Sequence, residues 1–188
     1  MVRKMVSAVT ALVVAASAPE VFADNPDADV RPSADAAWLV IGIQPATARM
    51  EIDEALIRNG KIRRFNYNFS AYHPVDGFIV VKVKPGTVYG IGASSLMFGK
   101  SIFGVRYKPC GHAVTFQADA GKVVYVTTIS YHAEGTRYAG PGIDFLEGAD
   151  YSTDIDGARA FLRAHYPGLS ESLEQGAYET SPMERACL

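Results

Sequence analysis

Gly77-Phe78-Ile79-Val80-Val81-Lys82-Val83-Lys84-Pro85-Gly86-Thr87-Val88-Tyr89-Gly90-Ile91-Gly92-Ala93 is the stretch that decides the fold class. Phe78 to Lys84 is rich in aromatic and β-branched residues, which suit a pleated, half-buried surface. Pro85-Gly86 then reads as a type II turn, since Pro presets φ at the first turn position and Gly supplies positive φ at the second. Thr87 to Ala93 resumes as a strand. Ala113 to Ala118, the turn Asp119-Ala120-Gly121 and Lys122 to Tyr131 form a second unit of the same kind. In its last strand Val123, Tyr125, Thr127, Ile129 and Tyr131 share one face by period two, and Val124, Val126, Thr128 and Ser130 the other. Such a strand is expected to be central and covered on both sides at one end.

Working outward, Trp38 to Ile43 is an apolar run of strand length. Ala48-Arg49-Met50-Glu51-Ile52-Asp53 alternates strictly, with Ala48, Met50 and Ile52 on one face. Asn59-Gly60 is a tight-hairpin signal, and Phe65, Tyr67 and Phe69 alternate after it, an aromatic stripe of the kind that packs in a core. Glu134 to Gly148 carries four glycines and a proline and reads as a long loop with a short strand in it. Ile155, Ala158, Phe161, Leu162 and His165 recur at helical spacing, with Thr153 as the expected N-cap, Asp156 three residues on, and Pro167-Gly168 as the stop. Ser170 to Gln175 reads as a shorter turn. The expected fold is mainly β (α+β): an antiparallel β-sandwich or partly open barrel of about seven or eight strands with one C-terminal helix.

The ends of the chain set its expected organisation. Arg3 and Lys4, the 14 apolar or small residues Met5 to Ala18, and Val21-Phe22-Ala23 have the order of a cleaved signal peptide over 1–23. The apolar stretch is shorter than the roughly 20 residues that span a bilayer. Residues 24–36 read as a disordered acidic leader, 37–176 as a single β-rich domain with its terminal helix, and 177–188 as a flexible tail. A periplasmic or secreted protein without a transmembrane segment after cleavage is expected. The whole chain has 18 basic and 20 acidic residues. Losing Arg3, Lys4 and Glu20 leaves 16 against 19, a net of −3. That balance argues against nucleic acid as a partner and against a polybasic grip on anionic lipid. Cys110 and Cys187 either stay as thiols or form a disulfide, which would close a loop of 78 residues and contribute about 4 kcal/mol in the chain-entropy model.

Four near-motifs fail on spacing. Gly99-Lys100-Ser101 lacks the earlier glycine of a phosphate loop, because position 94 is Ser. Ser152 to Gly157 matches only part of a calcium loop, whose twelfth position here is Arg163; acids at a helix start serve the macrodipole without an ion. Gly92-Ala93-Ser94-Ser95-Leu96 lacks the second glycine of a hydrolase elbow. His73, His112, His132 and His165 include no pair within five residues of each other, so no local metal-ligand pair exists. No catalytic, cofactor or metal residue is assigned.

The segments FIVVKVKPGTVYGI (78–91) and HAVTFQADAGKVVYVTTI (112–129), with YPGL (166–169) after the helix, resemble small exported bacterial proteins with a transthyretin-like or carboxypeptidase-regulatory-like β-sandwich. Many of those are lipoproteins, and this chain lacks their acylated cysteine. The resemblance implies a fold and no activity.

The expected function is that of an exported, non-catalytic binding or accessory module. Its partner is a protein, an envelope polymer or a small ligand. The first place to look is the stretch Ser94 to Pro109, whose Met97, Phe98, Ile102, Phe103 and Tyr107 make it apolar for a loop. It serves either as a binding face or as a cap on one end of the core. The alternative is an exported hydrolase with His112 or His132 as base and Ser94, Ser95 or Cys110 as nucleophile.

Overall fold

A computed structural model describes residues 29–66, 71–96, 105–107, 112–139 and 142–184. The stretch 1–23 read as a signal peptide, Tyr67, Phe69, Met97, Phe98, Ile102, Phe103, Cys110 and Cys187 lie outside the described residues. The strands are β1 (Ala37–Gln44), β2 (Ala48–Arg58), β3 (Lys61–Asn66), β4 (Ala71–Tyr72), β5 (Phe78–Val83), β6 (Tyr89–Leu96), β7 (Val105–Tyr107), β8 (His112–Phe116), β9 (Val123–Ala139), β10 (Gly142–Ser152), β11 (Leu173–Gln175) and β12 (Tyr178–Pro182). Two helices, α1 (Ile155–His165) and the single-turn α2 (Pro167–Ser170), follow β10. The chain is mainly β as expected, with more strands than the expected seven or eight.

A five-stranded sheet runs β10-β9-β1-β5, with β11 also on β9. A seven-stranded sheet runs β12-β8-β6-β2-β3, with β4 on β2 and β7 on β6. Most pairs are antiparallel, but β9 runs parallel to both β1 and β11, so the first sheet is mixed. The second sheet curls into a half-barrel. Its end strands approach where Ile62 bridges Met183 and the Glu184 N–H donates to the Ile62 carbonyl at 2.9 Å.

The two strand–turn–strand units split between these sheets. Gly86 has φ +71°, and the Thr87 N–H donates to the Lys84 carbonyl, as a type II turn requires. Yet β5 pairs with β1 and β6 with β2. The turn at Asp119-Ala120-Gly121 likewise sends β8 and β9 into different sheets. Type II turns splay flanking strands, whereas the primed turns match their twist. Asn59 (φ 51°) and Gly60 (φ 71°) supply a primed turn, and there β2 and β3 do form a hairpin, with Arg58 opposite Lys61. The first arch is tied to the second, because the Gly86 N–H donates to the Ala118 carbonyl, and the second is tied to the start of β1, because the Gly121 N–H donates to the Ala36 carbonyl.

Apolar periodicity then builds three layers. Leu39, Ile41 and Ile43 of β1 meet Met50 and Ile52 of β2 and Val114 and Phe116 of β8 in the core between the sheets. Trp38 and Val40 face the other way, with Val123 and Tyr125, onto Phe161, Leu162 and Leu169 of the helices. A bulge opposite Val40–Gly42 shifts the register of β9, so Ile129 joins Val124 and Val126 in the inter-sheet core and not Tyr125. The fully buried Tyr125 hydroxyl bonds Thr128 Oγ1 (2.7 Å) and accepts from the Asp154 N–H (3.0 Å), which ties the start of α1 to the sheet.

Other expectations are corrected. Asp154, not Thr153, caps α1: its carboxylate accepts from the Gly157 N–H at 3.0 Å. Ser170 to Gln175 ends in strand β11. Glu134 to Gly148 is no loop but most of the long β9–β10 ribbon, whose ladder continues from Thr128–Ser152 to Ala139–Gly142. Part of the stretch read as leader packs on the helical layer through Val30, and part of the stretch read as tail is β12, paired with β8. Among the described residues no helix is long and apolar enough to cross a membrane.

Candidate functional site

The residues singled out by sequence do not assemble into one place. Tyr107 lies in β7, which pairs with β6 through Ser94–Tyr107, Ser95–Arg106 and Leu96–Val105. Both ends of the stretch read as a loop over 94–109 therefore begin as strand, and Ser94 and Ser95 sit in a regular ladder. His73 follows β4, and the exposed His112 opens β8. His132 on β9 lies 3.5 Å from Asp150 of β10. His165 ends α1, stacks on Phe161 and bonds Asp76 Oδ2 at 2.9 Å. Among the described residues no group of three or more His, Cys, Asp or Glu side chains could hold a metal ion. In the partial calcium motif Asp154 caps the helix and Asp156 pairs with Arg159 at 3.2 Å.

A different place emerges where the edges of the two sheets meet. Strand β12 pairs with β8 so that Tyr178 is opposite Phe116 and Glu179 opposite Thr115. Beside this pairing lies a cleft of about 230 Å³ lined by Val88, Thr115, Phe116, Gln117, Ala177 and Glu179. Phe116 and Thr115 are buried there, and the Thr115 hydroxyl is held by Ser181 Oγ at 2.7 Å. Chain direction brings Tyr178, between two lining residues, onto Tyr151 of β10. Their ring centroids are 5.6 Å apart with planes tilted by 35°. Tyr151 belongs to the edge of the five-stranded sheet and Tyr178 to the edge of the seven-stranded one. They remain 42% and 38% exposed, two of the three large hydrophobic side chains so exposed among the described residues.

The edge carries an exposed ring pair on one face of β12, and the cleft on the other, where Glu179 alternates with Tyr178, has an apolar wall with carboxylate and amide groups. Aromatic faces take apolar surface, while Gln117 and Glu179 can hydrogen-bond hydroxyls or amides. The cleft is smaller than the ~300–1,000 Å³ of a pocket that engulfs a drug-sized ligand, so it suits one ring or side chain of a longer ligand lying on the surface. Sequence reading missed it because Tyr178 stood in a polar stretch taken as tail. The one available signal was the alternation of Tyr178 and Thr180 with Glu179 and Ser181.

The curl holds a second polar region. Ala55, Ile62, Phe65 and Ala113 are buried together there. Asp53 is buried and stands opposite Gly90 on β6. Nearby, burial pushes the Tyr72 phenol above its ordinary range, and the charges of Asp53 and Tyr89 push in the same direction. Compared with known proteins, the chain matches no family model, no curated protein and no solved structure.

Proposed function

We propose that this chain is an exported, non-catalytic binding module that holds a sugar ring of an envelope polymer on the Tyr151–Tyr178 platform. The observation that carries the reading is the convergence of these two rings, from the edges of separate sheets, into an exposed pair beside a cleft. Large apolar surface left in water at one place marks a contact site. Sugars present C–H faces that match the rings, and hydroxyls of a neighbouring sugar of the same polymer match the Gln117 and Glu179 groups in the cleft. Export rests on the order of charges, apolar run and small residues in 1–23. Binding is favoured over hydrolysis because the four histidines stand on four separate elements.

The test is retention of the mature protein on insoluble envelope and plant polysaccharides, with release of reducing ends followed in parallel. Retention on at least one polymer without product release is expected. Tyr151→Ala and Tyr178→Ala should each weaken it roughly two- to tenfold, the range for one aromatic contact. Turnover abolished by His112→Ala or His132→Ala, or retention untouched by loss of both rings, would overturn the reading.

A further inference from the structure

The β2–β3 hairpin carries a concentration of charge that the whole-chain balance hides. Arg58, Lys61, Arg63 and Arg64 fill four of the seven positions 58–64, and all four are exposed. Arg58 and Lys61 are directly opposite each other across the Asn59-Gly60 turn, and Arg64 is opposite Leu56. Arg63 is the extra residue at the register shift between those pairs. Like charges set directly across a ladder destabilise it, so this placement works against the fold. None of the four forms an ion pair or a side-chain hydrogen bond among the described residues. The turn itself projects into open space: a Cβ on Gly60 would meet nothing within 4 Å.

One further feature narrows the partner. Ile57, opposite Ile62 and so on the other face of the hairpin from Arg58 and Lys61, is 45% exposed, the highest value among the large hydrophobic side chains described. Free polyanions reward cations alone. A lipid surface rewards cations together with an apolar group that enters the headgroup boundary. Glu184, whose N–H donates to the Ile62 carbonyl, and Glu54, opposite Asn66, offset part of this charge but leave the hairpin net positive, and exposed acids beyond about 10 Å are screened at 0.1 M salt.

We infer that the β2–β3 hairpin tip is a docking surface for an anionic lipid layer, entering it edge-on with Arg58, Lys61, Arg63 and Arg64 on headgroup phosphates and Ile57, on the hairpin's other face, against the apolar boundary. This surface is separate from the tyrosine platform, so the double variant Tyr151→Ala/Tyr178→Ala retains it. The test is co-sedimentation of the mature protein with phosphatidylcholine vesicles, with and without phosphatidylglycerol, across a salt series. Binding is expected only with phosphatidylglycerol and should fall with salt. Each Arg→Gln or Lys→Gln substitution at these four positions should weaken it by roughly fivefold, and Ile57→Ser should weaken it while leaving the salt slope unchanged. Circular dichroism checks that each variant is folded. The inference fails if folded protein ignores phosphatidylglycerol or if the four-Gln variant binds as well as the parent. Inorganic polyphosphate that binds as tightly as vesicles, with no effect of Ile57→Ser, would also overturn it, because phosphate alone would then be the partner.

Discussion

Strand β1 of the five-stranded sheet is apolar on both faces, whereas β2 of the curled seven-stranded sheet is apolar toward the core and polar on its other side. In β1, Leu39, Ile41 and Ile43 enter the inter-sheet core while Trp38 and Val40 meet the helices, so seven successive residues are buried. In β2, Ala48, Met50 and Ile52 take the core side, and Arg49, Glu51 and Asp53 alternate with them. A sheet covered on two sides has no face on which to carry polar groups. A sheet that curls on itself does, because its concave side encloses a small group, Ala55, Ile62, Phe65 and Ala113 with Val88 and Met183 against them. The first sheet thus acts as the structural base except at its β10 edge, where Tyr151 joins Tyr178 of the second sheet's edge strand β12 to present chemistry.

Truncation of one buried side chain in each region sharpens the contrast most. Leu39→Ala, in the doubly covered sheet, should cost about 3–5 kcal/mol, and Ile62→Ala, in the curl, about 2 kcal/mol, the two ends of the range for buried aliphatic truncation. Chemical denaturation measures both, and equal losses would remove the distinction. Next in size, Tyr125→Phe should cost about 1–3 kcal/mol, because it leaves the Thr128 hydroxyl and the Asp154 N–H without their buried partner. A loss below this range would mean that the helical layer does not depend on that link.

A smaller effect separates the regions by pH. Burial raises the Tyr166 phenol on the helical side, and burial with the charges of Asp53 and Tyr89 raises Tyr72 on the curled side. A raised phenol keeps its proton in the folded state after the unfolded chain has released it. The resulting stability is complete below the ordinary value of 10.0 and is lost as pH rises through the folded value. Thermal melts above pH 10 should therefore decline with pH, and Tyr72→Phe should flatten that decline more than Tyr166→Phe. The reverse order would contradict the added push of Asp53 and Tyr89 on Tyr72.

Strands β1, β2, β5, β6, β8 and the first half of β9 were legible in the sequence, whereas β4, β7, β10, β11 and β12 were not, and strand partners only in part. Alternation in Ala48–Asp53 marked a half-buried face with polar neighbours, and the apolar run Trp38–Ile43 marked a strand without showing that both its faces are covered. Pro85-Gly86 was read as a turn, but its type II geometry also disfavours a hairpin, unlike Asn59-Gly60, and that difference separates arch from hairpin. The glycines of Glu134–Gly148 suggested a loop because they lack side chains to alternate, while the ladder of β9 with β10 needs only backbone groups. The tyrosine platform was hidden for a related reason. Tyr178-Glu179-Thr180-Ser181-Pro182 is a polar edge strand whose partner, β8, is more than sixty residues away, and nothing local announces that pairing.

Nuclear magnetic resonance of protein with isotope-labelled tyrosine rings, titrated with an oligosaccharide of a retained polymer, tests the binding platform most directly. The ring signals of Tyr151 and Tyr178 should shift in step with occupancy while those of the buried Tyr125 and Tyr166 stay in place. Saturable binding that leaves Tyr151 and Tyr178 unmoved would contradict the account.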